Sequence, residues 1–201
     1  MSVSAVFLDR DGVINENRTD HVKTWEEFRF LPNASQAIAR LSAAGLKIFV
    51  ISNQAVVNRG LVPRETVDAI NRRMIEEVTR HGGYIEAVAY CPHRPEERCL
   101  CRKPKPGLIL DLARRHQLDL RAAVLIGDAL SDIEAGEAAG CRTILVLTGR
   151  GREQLGLARA VGRNGFGVAP DLMAAADMLL RPEMPFAASN EQALPVGLAV
   201  A

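Results

Sequence analysis

Short, continuous apolar runs punctuate this chain, and polar or amphipathic stretches separate them. Val3–Leu8 is the first run; Leu46–Ile51, Tyr84–Tyr90, Ala122–Ile126 and Thr143–Leu147 follow. Runs of this length that are apolar throughout suit strands of a parallel sheet covered on both faces. The segments between them carry a helical period. Asn33-Ala34-Ser35 can cap a helix that presents Ile38 and Leu41 and stops at Gly45. Residues 64–81 set Val67, Ile70, Met74 and Val78 at spacings of three and four, a stripe that ends at Gly82-Gly83. Pro106-Gly107 opens a helix through Leu110 and Ala113, and a shorter one runs from Ser131 to Ala139 before Gly140. This alternation predicts an α/β fold: a Rossmann-like, doubly wound parallel sheet with right-handed crossovers. One domain is expected over residues 1–181. Residues 182–201 contain Pro182, Pro185 and Pro195 without periodicity and read as a tail or irregular arm.

Composition narrows the functional classes. The chain has 201 residues, enough for one domain with a sizeable core. Hydrophobic residues make up 48% and charged residues 24%, an ordinary globular balance. A net charge of +1 supplies no global pull toward nucleic acid or an anionic membrane, and an aromatic content of 4% offers few stacking platforms for bases. The N-terminus lacks the basic and long apolar regions of a signal peptide, and no apolar stretch approaches a membrane span. The expectation is a cytoplasmic monomer with no membrane partner. In that reducing compartment, clustered cysteines point to metal rather than to disulfides.

The chemistry gathers after the strands. The first is followed by Asp9-Arg10-Asp11-Gly12, the second runs into Ser52-Asn53-Gln54, and the fourth into Gly127-Asp128 with Asp132 close behind. Arg102-Lys103-Pro104 lies between the third and fourth. Each has an ordinary explanation as a turn, a helix entry or a solvated basic pair. In a doubly wound sheet, however, ligands bind beyond the carboxyl ends of the strands, where all four would converge. Such a set meets the demands of phosphoryl transfer: an in-line nucleophile, a proton donor, and positive charge for the equatorial oxygens. Asp9 is the candidate nucleophile, forming an aspartyl-phosphate. Asp11 is the candidate acid and then base. Mg²⁺ held by Asp9 and Asp128 would offset repulsion between carboxylate and phosphate. Ser52 and Lys103 would hold phosphoryl oxygens, with Asn53 beside them in the substrate-binding set, and Asp132 would orient the metal site or Lys103.

These motifs, Asp9-x-Asp11, Ser52, Lys103 and Gly127-Asp128-x-x-x-Asp132, resemble those of the haloacid dehalogenase (HAD) superfamily phosphatases. The resemblance runs in order over about residues 3–148 and implies the roles above, together with a metal contact from the Asp11 backbone carbonyl.

A second metal site is legible in Cys91-Pro92-His93 and Cys99-Leu100-Cys101. Three thiolates and one imidazole make a closed tetrahedral zinc site, structural rather than catalytic. A redox pair or reduced surface cysteines are the alternatives. Cys141 reads as buried core, and His21, His81 and His116 as ordinary polar residues without partners at ligand spacing. The zinc loop leads into Arg102-Lys103 and would hold it rigid. This segment, with Asp9–Asn15 and Asn53-Gln54…Arg59-Gly60, resembles the D,D-heptose 1,7-bisphosphate phosphatase branch, close to the histidinol-phosphate phosphatases. The resemblance implies hydrolysis of a small phosphorylated metabolite, a sugar bisphosphate. Asp20-His21-Val22, Ala55-Val56-Val57 and Pro32-Asn33 depart from the branch pattern in loops that face substrate.

The gaps between motifs leave no room for a separate cap domain. Specificity is therefore expected from loops at residues 15–31, 53–62 and 91–103. Arg59 and Arg102 could meet a second phosphate or sugar hydroxyls; a solvated loop position is the alternative for Arg59. Competing functions are histidinol-phosphate hydrolysis, a DNA 3′-phosphatase served by an uncapped site, and a zinc-stapled binding module with a vestigial site. The presence of Asp9, Asp11, Lys103 and Asp128 together favours an enzyme.

Overall fold

The computed structural model describes residues 3–181, so the expected arm at 182–201 lies outside the described residues. Six strands form one sheet: β1 (Ala5–Leu8), β2 (Lys47–Asn53), β3 (Ala87–Cys91), β4 (Ala123–Gly127), β5 (Arg142–Val146) and β6 (Gly167–Ala169). Six helices join them: α1 (Ala34–Ala43), α2 (Arg64–Arg80), α3 (Gly107–His116), α4 (Leu130–Ala139), α5 (Gly151–Ala160) and α6 (Leu172–Leu180). The strand order is β3-β2-β1-β4-β5-β6 and every pairing is parallel.

The alternation of side chains along each strand builds two cores. Val6, Leu8, Ile48, Val50, Val124 and Ile126 face one side, where they meet Ile38 and Leu41 of α1, Ile70, Met74 and Val78 of α2, and Leu172 and Ala176 of α6. Ala5, Phe7, Phe49, Ile51 and Leu125 face the other, against Ile109 and Leu112 of α3 and Ala135 of α4. Burial on both faces explains why the strands read as unbroken apolar runs.

Three elements near the C-terminal end add to the expected set. α5 is amphipathic, but only Gly151 and Ala158 of it are buried, so no large apolar side chain anchors it in the core. The sequence of α6, LMAAADMLL, is apolar on nearly every side. β6 has only 3 residues. One local expectation needs correction: Asn33 does not cap α1 with its side chain. It stands at the N-cap position in a left-handed conformation at φ 59°, its carbonyl accepts from the Ala37 N–H at 2.9 Å, and its side chain makes no capping hydrogen bond.

Successive crossovers change direction between β1 and β4, which makes their shared carboxyl edge the topological switch point. Register sets what meets there. Leu8 pairs with Val50 and with Ile126, and the Asp9 N–H donates to the Ile126 carbonyl at 2.9 Å. Asp9 thus emerges level with Ile51 and Gly127, one residue short of Ser52 and Asp128. Among the described residues, no helix or strand stands between β1 and α1, or between β2 and α2, to form a cap.

Candidate active site

A cleft of about 420 Å³ opens over this edge. Asp9, Asp11, Ser52, Asn53 and Arg102 line it, as do residues 17–19, His21, Val22, Gln54, Gly149 and Arg150. Beneath it lies a buried charge cluster. Lys103, Asp128 and Asp132 are 3%, 0% and 0% exposed, so their charges must compensate one another.

Lys103 Nζ lies 2.9 Å from Asp9 Oδ1, 2.6 Å from Asp132 Oδ1, and donates to the Ile51 carbonyl at 3.2 Å. An ammonium has three donors, and here all three are engaged. Burial by itself lowers the Lys103 pKa, but Asp132 and then Asp9 outweigh it, so the ammonium stays charged. The Lys103 backbone is fixed from outside. Its N–H donates to Asn53 Oδ1 and its carbonyl accepts from Asn53 Nδ2, both at 3.1 Å. Asn53 therefore clamps the 102–104 loop to the end of β2.

Asp9 Oδ1 also accepts from the Arg10 N–H at 2.7 Å. Oδ2 accepts no hydrogen bond from the described residues and is the oxygen left for chemistry. Burial, opposed by Lys103 and aided by Asp132, pushes the Asp9 carboxyl up to about 7. The Asp11 carboxylate, by contrast, is crowded with donors: Arg10 at 3.0 Å to both oxygens, Asn15 at 2.9 Å, Gln54 at 2.6 Å and Ser52 at 3.5 Å. Burial would raise Asp11, but the Arg10 charge and the hydrogen bonds from Asn15, Arg10 and Gln54 prevail and hold it below the ordinary aspartate value.

Asp128 sits in a cradle that only glycine allows. A Cβ on Gly12 (φ 93°) or on Gly149 (φ 54°) would overlap its carboxylate. Its Oδ2 accepts from the Arg150 N–H at 2.8 Å, while the buried Oδ1 has no hydrogen-bond partner and sees only the Arg150 guanidinium at 3.6 Å. Burial and nearby Asp9 raise its pKa. Candidate ligand oxygens of Asp9, Asp128 and Asp132 lie within 4.8 Å of one another. A buried carboxylate oxygen without a donor beside a second carboxylate is what a hard cation requires. Asp132 Oδ1 likewise lacks a hydrogen bond but is ion-paired with Lys103 Nζ at 2.6 Å, and Oδ2 accepts from the Ala129 N–H at 3.0 Å, which leaves Asp9 and Asp128 as the more available pair.

Beside the cleft, the Cys91, His93, Cys99 and Cys101 ligand atoms also fall within 4.8 Å of one another. Cys91 and Cys101 Sγ each lie 3.5 Å from Cys99 Sγ, and 3.5 and 3.3 Å from His93 Nδ1. Zinc–sulfur bonds of about 2.3 Å imply sulfur–sulfur edges of about 3.8 Å in a tetrahedron, so the cluster fits one ion with little adjustment. The loop is knotted to the site. The Gln54 N–H donates to the Cys91 carbonyl at 2.7 Å, Asn58 Nδ2 to Glu97 at 2.9 Å, and the Arg102 guanidinium to the His93 carbonyl at 3.2 Å.

Most residues singled out by sequence thus converge. Arg59 does not: it is exposed and outside the cleft lining, although its charge, after burial, helps lower the pKa of His21. Lys103 lies behind Asp9 rather than in the cleft lining. Sequence reasoning gave no role to Arg10, Asn15, Gln54, Asn71, His21 or Arg150. Arg10, Asn15 and Gln54 stood within the quoted motifs, and Asn71 left a trace as a polar position inside the apolar stripe of α2. His21 reaches the cleft through a left-handed turn at φ 64°, which no ligand spacing reports.

Comparison with known proteins agrees with this arrangement. A HAD-hydrolase-like family model matches residues 100–175. The chain is 40% identical over 181 residues to the D-glycero-beta-D-manno-heptose-1,7-bisphosphate 7-phosphatase of Pseudomonas aeruginosa, covering 90% of this chain and 100% of that one. It is 41% identical over 176 residues to the protein of the same name from Bordetella bronchiseptica, covering 88% and 97%. The fold matches the crystal structure of D,D-heptose 1,7-bisphosphate phosphatase from B. bronchiseptica, complexed with magnesium and phosphate, with a TM-score of 0.84 at 40% identity, over 89% of this chain and 98% of that one.

Proposed function

The chain belongs to the heptose-bisphosphate phosphatases of the HAD-like hydrolases, and from that premise we propose that it removes the 7-phosphate of D-glycero-D-manno-heptose 1,7-bisphosphate. The observation that carries the mechanism is Asp9. One of its oxygens is held by Lys103 and a backbone N–H, and the other is free at the floor of the cleft.

Asp9 Oδ2 attacks phosphorus, and the bond from phosphorus to the sugar oxygen breaks. Asp11 gives that oxygen a proton. Water then attacks the aspartyl-phosphate, Asp11 takes a proton from it, and phosphate and Asp9 are released. The donors around Asp11 make carboxylate its resting form, ready for the second half. For the first half it takes up a proton when a phosphate dianion arrives nearby and raises its pKa by like-charge repulsion. Lys103 must release a donor to reach a phosphoryl oxygen. Asp9 Oδ1 is the partner whose charge falls as Oδ2 becomes esterified, so the ammonium turns from nucleophile to phosphoryl group as the bond forms. Ser52 lies beside Asp11 and holds a second phosphoryl oxygen.

Asp9, Asp128 and the Asp11 backbone carbonyl would hold Mg²⁺. When bound, the ion neutralises phosphoryl charge and removes the repulsion between Asp9 and its substrate. Asp132 holds Lys103 rather than the ion. Cys91, His93, Cys99 and Cys101 would hold Zn²⁺ as a staple that keeps Arg102 and Lys103 in register with β2. Arg102 faces the cleft and is the candidate contact for the second phosphate. We assign these roles to one phosphatase domain over residues 1–181, acting as a cytoplasmic monomer; size-exclusion chromatography with light scattering tests the last point.

The deciding experiment is Mg²⁺-dependent phosphate release from both anomers of heptose 1,7-bisphosphate, histidinol phosphate and 3′-phosphorylated DNA. The highest kcat/KM is expected for a heptose bisphosphate. A higher value for either of the other two would overturn the substrate assignment and leave the phosphatase chemistry standing.

A further inference from the structure

We propose that Asn71 and Arg10 form a buried strut that sets the orientation of the Asp11 carboxylate, which makes Asn71, on a helix that otherwise takes no part in the site, a positioning residue for proton transfer. The inference rests on the reading of Asp11 as the acid and base.

Arg10 sits between the two aspartates of the motif, and its side chain is 1% exposed against 24% for Asp11. The guanidinium therefore stands behind the carboxylate, and the carboxylate faces the cleft. NH2 lies 3.0 Å from both Asp11 oxygens. NH1 points away into the α2 side of the core and donates to Asn71 Oδ1 at 3.2 Å. The guanidinium carbon lies 5.8 Å from the centre of the Phe28 ring, whose own neighbours Trp25 and Phe30 fix that wall. The Arg10 backbone carbonyl accepts from Ile14 at 2.8 Å and Asn15 at 3.1 Å, so the stem of the side chain is anchored as well. Asp11 is thus gripped by a group that cannot swing.

Asn71 is the one polar side chain among the buried residues of α2, which are otherwise Val67, Ile70, Met74 and Val78. Its chemistry fits the task. An apolar side chain there would leave NH1 buried without an acceptor. An aspartate would satisfy NH1 but compete with Asp11 for the guanidinium charge. A neutral amide oxygen holds NH1 and leaves the charge of Arg10 directed at Asp11.

The test exploits leaving-group dependence. From heptose 1,7-bisphosphate the leaving group is a sugar alkoxide that needs a proton, whereas from p-nitrophenyl phosphate it is the stable p-nitrophenolate, which does not. For both, kcat/KM reports steps through the first P–O cleavage. Asn71→Leu, which removes the acceptor of NH1, is expected to lower kcat/KM for the heptose ester by about tenfold or more, within the range that a general acid supplies. The value for p-nitrophenyl phosphate should stay within about twofold. Asn71→Ala is a second variant in case the first does not fold, and the same selective loss is expected. Asp11→Asn serves as the reference for a lost acid. If Asp11→Asn shows the selective loss and both Asn71 variants, folded by circular dichroism, lower the two substrates equally or not at all, the strut is overturned. If Asp11→Asn itself shows no selectivity, the reading of Asp11 fails instead.

Discussion

The charged site at the sheet edge and the cysteine-rich loop beside it hold polar groups still by different means. Asp9, Lys103, Asp128 and Asp132 are buried, and each is anchored by a strand end, a helix entry or a side chain from the core beneath. Residues 94–98 of the loop are all exposed, and only Cys91 among the four ligands is fully buried. The first site is fixed by the fold. The second is more exposed, and an ion held by its four candidate ligands would add to the contacts that fix it. The difference teaches where each should fail. The sheet edge should keep its shape when a charge is removed, and the loop should lose its shape when its metal is removed.

Removing the nucleophile is the strongest test of the first half. Asp9→Asn should lower kcat by on the order of 10⁴ or more, as loss of a nucleophile does elsewhere, while zinc content and circular dichroism stay unchanged. Lys103 keeps Asp132 as its ion partner, and burial already disfavours the Asp9 charge, so thermal stability of the metal-free protein at neutral pH should hold or rise. Substantial residual phosphate release would refute Asp9 as nucleophile.

Breaking the loop should cost less activity and produce a local change. Cys99→Ser, or zinc chelation, should lower kcat/KM by about 10- to 100-fold, the scale of a disrupted metal shell. Hydrogen exchange should rise at residues 91–103 while β1 and β4 stay protected. Exchange rising throughout the sheet would mean that the loop holds the fold as well as the site.

The metal-free site should respond to pH in a direction set by Asp9. Its carboxyl is raised from 3.8 to about 7. Its contribution to the stability of the metal-free protein is therefore full below about pH 4 and lost as pH rises through about 7. Mg²⁺ must displace that proton, so its apparent affinity should weaken by up to about tenfold per pH unit below 7. Isothermal titration at pH 6 and 8 reads this directly, and equal affinities would show that Asp9 is ionised throughout.

The smallest contrast separates two arginines. Arg102→Ala should raise KM for the bisphosphate by about tenfold, as expected for a lost charged hydrogen bond. Arg59→Ala, exposed and outside the cleft lining, should change kcat/KM by less than about threefold. Equal effects would bring Arg59 into the substrate site.

How much was legible in the sequence follows from the range of each signal. Apolar runs report burial on both faces, so β1, β2, β4 and β5 could be read directly, whereas β3, partly exposed at the sheet edge, spans Ala87–Cys91 rather than the expected Tyr84–Tyr90. The motifs after the strands could be placed because parallel topology gathers carboxyl ends at one edge. The four candidate zinc ligands lie close along the chain, where spacing is itself geometry. The uniformly apolar α6 and the 3-residue β6 have no period to read, and α5, though amphipathic, buries only Gly151 and Ala158.

Local pattern and composition were enough to read the parallel α/β architecture, the four motifs and two sets of candidate metal ligands. That Lys103 lies behind Asp9, that Gly12 and Gly149 make room for Asp128, and that Asn71 reaches Asp11 through Arg10 became visible only in the folded chain. Those facts depend on side chains from distant segments competing for the same few ångströms. No one-dimensional pattern records which oxygen is left without a partner.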